Sequence, residues 1–129
     1  MTNQRREGQI LLVEDDPELR ESMVDILQDE GYRVAAANDG IQALAALAAG
    51  PKPNIILLDM MMPKMNGAQF RAEQLKNPQW MSIPVVILTA HVMSDYERES
   101  LHADAFITKP FEIPTLLDVI VRILERGMK

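Results

Sequence analysis

"NIILLDMMMPKMNG", residues 54–67, sets an unbroken apolar run before one carboxylate, Asp59, then continues through methionines and a proline. A run without polar alternation is expected of a strand covered on both faces, as in a parallel sheet. Four further runs of this kind flank it: "QILLV" (9–13), "RVAAA" (33–37), "IPVVIL" (83–88) and "DAFIT" (104–108). With "NIILL" (54–58) they give five predicted strands, of which the first, third and fourth are almost wholly apolar.

Helix-period segments separate the runs. Residues 17–29 place Leu19, Met23, Ile26 and Leu27 on one face, with Asp16 as N-cap, Pro17 in the first turn and Gly31 closing the end. Residues 39–49 are rich in Ala and Leu, with Ile41, Leu44, Ala45 and Ala48 on one stripe and Asn38 and Asp39 as capping residues. A third helix covers 66–76 with a weak pattern. "SDYE" (94–97) has the spacing of a capping box and opens a short fourth helix. The fifth starts near Pro114 and turns Leu117, Ile120, Val121 and Leu124 inward. Strand and helix in alternation indicate an α/β fold with a parallel sheet, residues 9–127 forming one domain behind a flexible tail of residues 1–8.

Composition narrows the function. The 129 residues are 47% hydrophobic and 25% charged, ordinary for one globular domain. Without cysteine there is no disulfide, thiolate metal site or cysteine nucleophile. No run approaches the roughly 20 residues of a membrane helix, and "MTNQRREGQ" lacks the apolar stretch of a secretion signal. A cytoplasmic protein is the expectation. Thirteen basic against nineteen acidic residues give a net charge of −6, which argues against direct binding of nucleic acid. The basic stretches "QRRE" and "RILERGMK" fit solubility and helix-end charge better than a binding surface.

In open parallel sheets, ligands gather beyond the carboxyl ends of the strands, where strand order reverses. Glu14, Asp15 and Asp16 follow the first run, Asp59 the third, Thr89 the fourth, and Thr108, Lys109 and Pro110 the fifth. Each has a plain alternative as a cap, turn or solvated residue, but together they supply carboxylates, a hydroxyl and an ammonium at one end of one sheet. Glu14, Asp15 and Asp59 in proximity would need compensating charge. Their donors are hard oxygens with neither thiolate nor histidine beside them, so Mg²⁺ suits the set better than Zn²⁺. A carboxylate beside such an ion and an ammonium can act as nucleophile toward phosphorus.

At these residues the chain resembles the receiver domain of two-component response regulators, over about residues 9–126. "LLVEDDPELR" is similar to that family's acidic-pair motif, "IILLDMMMPKMNG" to its phospho-acceptor loop, "VVILTA" to its hydroxyl motif and "AFITKPF" to its lysine-proline motif. The resemblance implies a flavodoxin-like, doubly wound sheet of order 2-1-3-4-5 with five helices. It implies that Asp59 accepts a phosphoryl group from a histidine kinase or histidine phosphotransfer protein. Asp15 would hold Mg²⁺ directly, Glu14 partly through water, and Asp59 and the backbone carbonyl of Met61 would complete the set. Thr89 and Lys109 would each take a phosphoryl oxygen, with a cis peptide at Lys109–Pro110. Phe106 stands at the switch-aromatic position, so that movement of Thr89 would let it turn inward and reshape the face of the fourth helix, fifth strand and fifth helix for a downstream effector. The family often has glycine where His102 stands. His91, near the mouth of the site, reads as a solvated loop residue.

The same resemblance implies a phospho-acceptor that assists its own phosphorylation and dephosphorylation rather than an enzyme, working as a monomer or weak dimer. It leaves open a stand-alone regulator or a piece of a larger one. Three rivals remain. An aspartyl-nucleophile phosphohydrolase wants a second acid where Met61 stands. A flavin mononucleotide binder would meet the acidic "EDDPEL" where its phosphate belongs. A phosphate-independent docking module would have no use for Asp59, Thr89 and Lys109 together.

Overall fold

The apolar runs form one parallel sheet. The computed structural model describes residues 8–90 and 92–127. Strands β1 (Gln9–Val13), β2 (Arg33–Ala37), β3 (Ile55–Asp59), β4 (Val85–Thr89) and β5 (Ala105–Thr108) lie in the order β2-β1-β3-β4-β5, as the resemblance implied. Every adjacent pair is parallel. The connecting helices are α1 (Pro17–Asp29), α2 (Gly40–Ala49), α3 (Gly67–Lys76), α4 (Asp95–Leu101) and α5 (Ile113–Gly127).

All residues of β3 and β4 are buried, because alternate side chains feed two separate cores. Ile10, Leu12, Ile55, Leu57, Val86 and Leu88 pack under α1 and α5 against Met23, Leu27, Leu116 and Ile120. Leu11, Val13, Ile56, Leu58, Val85 and Ile87 pack on the opposite face against Ala43, Leu47, Phe70 and Leu101. Each such Leu or Ile contributes roughly 1.5–3 kcal/mol. Asp59 and Thr89 are the last residues of their strands rather than the first of their loops, so the strands themselves aim these side chains.

Capping follows the sequence signals. Asp16 accepts from the N–H groups of Glu18 and Leu19, and Asp39 from that of Gln42. Ser94 and Glu97 form the expected reciprocal box, and Asn66 with Gln69 forms another. His102 closes α4 in the left-handed conformation, φ 52°, where a glycine would be unstrained. Lys109–Pro110 is cis, as expected.

Two helix faces differ from expectation. In α2 only Leu44 of the expected stripe Ile41, Leu44, Ala45 and Ala48 packs against the core: Ile41 is 53% exposed, Ala45 and Ala48 are exposed, and the buried positions are Ala43 and Leu47. Apolar residues on nearly every side of "GIQALAALAA" left periodicity nothing to choose by. In α5, Leu117, Ile120 and Leu124 pack as expected, but the stripe centres on Leu116, Ile120 and Ile123, and Val121 lies at its margin.

The weak pattern of α3 has a physical cause. Its buried face carries Arg71 and Gln74, 4% and 0% exposed. Arg71 donates to the carbonyls of Leu101 (2.9 Å) and His102 (2.7 Å) at the end of α4 and to Oε1 of Gln74 (2.7 Å). Gln74 passes the chain on to the carbonyls of Trp80 and Ile83. Burial lowers the Arg71 pKa from its usual value, an effect partly offset by Asp104. Residues 1–7, His91, Met128 and Lys129 lie outside the described residues, and with them most of the expected flexible tail, the His91 reading, the whole of "QRRE" and the last two residues of "RILERGMK".

Candidate functional site

The reversal in strand order falls between β1 and β3, and the carboxylates sit on either side of it. Parallel register sets Val13 beside Leu58, Asp59 beside Leu88 and Thr89 beside Thr108, so four strand ends open onto one small surface. Glu14, Asp15 and Asp59 can place one carboxylate oxygen each within 4.8 Å of one another. Two like charges at that separation repel by about 3.5 kcal/mol at an effective dielectric near 20.

Lys109 provides part of the compensation. Its Nζ lies 2.8 Å from Oε1 of Glu14 and 3.3 Å from Oδ1 of Asp59, its own N–H donating to the Thr89 carbonyl at 2.7 Å. Burial alone would depress the Lys109 pKa, but the bond to Glu14 and the fields of Asp59 and Glu14 outweigh it and hold the ammonium charged. Three carboxylates against this one ammonium leave a deficit equal to one divalent cation. Asp59 shows the effect of this crowding: burial, then the charge of Glu14, push its carboxyl up to about 7 despite Lys109.

The donors fit Mg²⁺. All are carboxylate oxygens, Asp15 is the more open of the acidic pair, and both oxygens of Glu14 are already engaged, Oε1 by Lys109 and Oε2 by the Asp16 N–H at 3.2 Å. Glu14 is thus better placed to act on an ion through water than directly.

The loop after β3 explains the methionines. Met60, Met62 and Met65 pack against the core on the α2–α3 side, while the Met61 side chain is 66% exposed and its N–H donates to Oδ1 of Asp59 at 3.4 Å. Lys64 turns the chain with φ 65°. Gly67 passes so close that a Cβ there would lie 2.7 Å from the Asp59 carbonyl. The methionines after Asp59 thus contribute packing and main chain rather than polar side chains.

Thr89 is 3% exposed at the end of β4, and Phe106 is half-buried on β5 against the same core as Ile87. Two neighbours were not anticipated. The Arg98 guanidinium lies over the Phe106 ring, 4.5 Å from its centroid. Arg20 reaches from α1 to the main chain of the acidic pair. Its place in "DDPELR", one turn into a capped helix, was the available signal.

A family model described as the response regulator receiver domain matches residues 10–121. The chain belongs to the response regulator receiver domain family. This receiver domain is 41% identical over 124 residues to a homolog of the transcriptional regulatory protein CpxR from Haemophilus influenzae, covering 93% of this chain and 52% of that one. It is 32% identical over 122 residues to protein PilH of Pseudomonas aeruginosa, covering 91% and 98%. It spans about half the length of the CpxR-type relatives and nearly all of PilH. Among solved structures it is similar to chemotaxis protein CheY4 of Vibrio cholerae, at 30% identity and a TM-score of 0.83 over 92% of this chain and 99% of that one. It also resembles response regulator TrrA of Thermotoga maritima, solved in complex with Mg²⁺-BeF, at 29% identity and a TM-score of 0.78 over 89% and 97%. Among the described residues no helix is long and apolar enough to cross a membrane.

Proposed function

We propose that this receiver domain is an Mg²⁺-dependent phosphoryl switch with Asp59 as acceptor. The observation that carries the proposal is the Glu14–Asp15–Asp59 cluster, short of positive charge and bridged on one side by Lys109. Asp15, Asp59 and the Met61 carbonyl would hold the ion, and Glu14 would steady its water. When bound, Mg²⁺ supplies charge neutralisation at the transferring group.

An Asp59 carboxylate oxygen attacks the phosphorus of a phosphohistidine donor. The new P–O bond forms as the donor's P–N bond breaks, and the departing imidazole nitrogen keeps the electron pair and takes a proton from solvent. Lys109 pairs with one phosphoryl oxygen and the Thr89 hydroxyl donates to another, so positioning and charge do most of the work. Water later cleaves the acyl phosphate within the same residues, which makes the domain a switch that assists its own reset rather than an enzyme.

Movement of Thr89 toward the phosphoryl group opens room for Phe106. The α4–β5–α5 face then changes shape for an effector protein. The donor is a sensor histidine kinase or histidine phosphotransfer protein in the cytoplasm. The domain works as a monomer or weak dimer and does not itself touch nucleic acid, in keeping with its net charge of −6.

Incubation with a small acyl-phosphate donor, read as intact mass, tests this. The expected result is one phosphoryl adduct that needs Mg²⁺ and is lost in Asp59→Asn. An Mg²⁺-independent adduct, none at all, or one that survives in Asp59→Asn overturns it.

A further inference from the structure

We propose that Arg20 is a positioning residue for the divalent-cation site, fixing the main chain from which Glu14 and Asp15 present their carboxylates. The inference rests on reading the acid cluster as an Mg²⁺ site.

Arg20 lies in the first turn of α1, its own N–H bonded to the Asp16 carbonyl at 2.8 Å. Its side chain is half-buried and turns back over the loop. Nη1 donates to the Glu14 carbonyl at 2.9 Å, with a longer contact of 3.4 Å to the Asp15 carbonyl. Peptide units are planar, so orienting a carbonyl orients the next residue's N–H. The Glu14 carbonyl therefore sets the Asp15 N–H and Cα. The Asp15 carbonyl sets the Asp16 N–H, which donates to Oε2 of Glu14. Lys109 holds the other oxygen of that carboxylate. Arg20 thus closes a path through two peptide planes to a carboxylate pinned on both sides. Asp16 reinforces it by capping the helix that carries Arg20.

Charge and position make opposite predictions here. A guanidinium near the cluster repels a dication, so deleting the charge alone tightens Mg²⁺ binding. Losing the hold on the loop weakens it, and partners that orient metal ligands are typically worth about 10–100-fold in affinity. Arg20→Lys keeps the charge but replaces the planar guanidinium, whose Nη1 reaches both carbonyls, by an ammonium on a shorter stem.

The test titrates MgCl₂ calorimetrically into wild type, Arg20→Met and Arg20→Lys, with melting temperatures taken in chelator. Both variants are expected to bind Mg²⁺ at least about tenfold more weakly. Arg20→Lys keeps the experiment informative if the Met variant does not fold. A lower melting temperature in chelator with unchanged Mg²⁺ affinity would mean a merely structural role and overturn the proposal. So would tighter binding by Arg20→Met. If the wild type itself binds no Mg²⁺, the reading of the cluster as a metal site fails, and this proposal with it.

Discussion

Replacing Asp59 by Asn should stabilise the metal-free domain, and more so as the pH rises. Burial, followed by the field of Glu14, moves the Asp59 carboxyl from 3.8 to about 7. Between those values the folded chain keeps a proton that the unfolded chain has released. The folded state then binds more protons than the unfolded one, so stability falls as pH rises through the window and levels off above about pH 7. At about 1.4 kcal/mol per pH unit, the penalty grows from a few tenths near pH 4 to about 4 kcal/mol near pH 8. With Asp59 only 4% exposed, solvent screening removes little of it. Asn keeps the shape and an acceptor oxygen but never carries the charge. A domain of this size shifts its Tm by roughly 3–5 °C per kcal/mol, so the variant should melt about 12–20 °C higher near pH 8 and only a few degrees higher near pH 4. Thermal melts in chelator across that range provide the assay. Equal Tm values near pH 8, or a gap that widens toward acid, would refute the reasoning. Saturating Mg²⁺ should narrow the gap by stabilising wild type, by about 2.7 kcal/mol at a hundredfold excess over Kd.

Other consequences follow from the packing. Arg71→Ala should destabilise the domain by about 2–4 kcal/mol in urea unfolding, since it strands the buried Leu101 carbonyl and the partly buried His102 carbonyl at the end of α4 and empties the space beneath them. A change below about 0.5 kcal/mol would mean the network is idle. In α2, Leu47→Ala should cost about 2–4 kcal/mol and Ile41→Ala under about 0.5, and the reverse order would restore the face first expected from sequence. Gly67→Ala should cost about 1–3 kcal/mol and blunt the Mg²⁺-induced rise in Tm, because the new Cβ presses on the Asp59 carbonyl. Full retention of that rise would detach the loop geometry from the metal site.

The parallel sheet was readable because β1, β3 and β4 are buried on both faces and show it as unbroken apolar runs, while its strand order came from the family resemblance. The caps at Asp16, Asp39 and Ser94 were equally open to reading, since each is a local hydrogen bond between residues a few positions apart. The site was legible as a list of strand-end residues. What periodicity could not reveal were contacts decided by tertiary packing. The face of α2 was hidden by apolar residues on nearly every side, and the buried face of α3 by an arginine and a glutamine whose partners lie at the end of α4 and in the turn before β4. Arg20 and Arg98 look like ordinary helix-surface cations in the sequence. Only the fold shows one beneath the acidic pair and the other over Phe106. The raised carboxyl of Asp59 is likewise a product of assembly: its cause is burial beside Glu14, which lies 45 residues away in the chain.

The most direct test of the central claim is where a divalent cation sits. Titrating trace Mn²⁺ into ¹⁵N-labelled protein should broaden the amide signals around Glu14–Asp16, Asp59–Met61, Thr89 and Lys109 first, and excess Mg²⁺ should restore them. Broadening centred elsewhere on the surface, or none at those positions, would contradict the account.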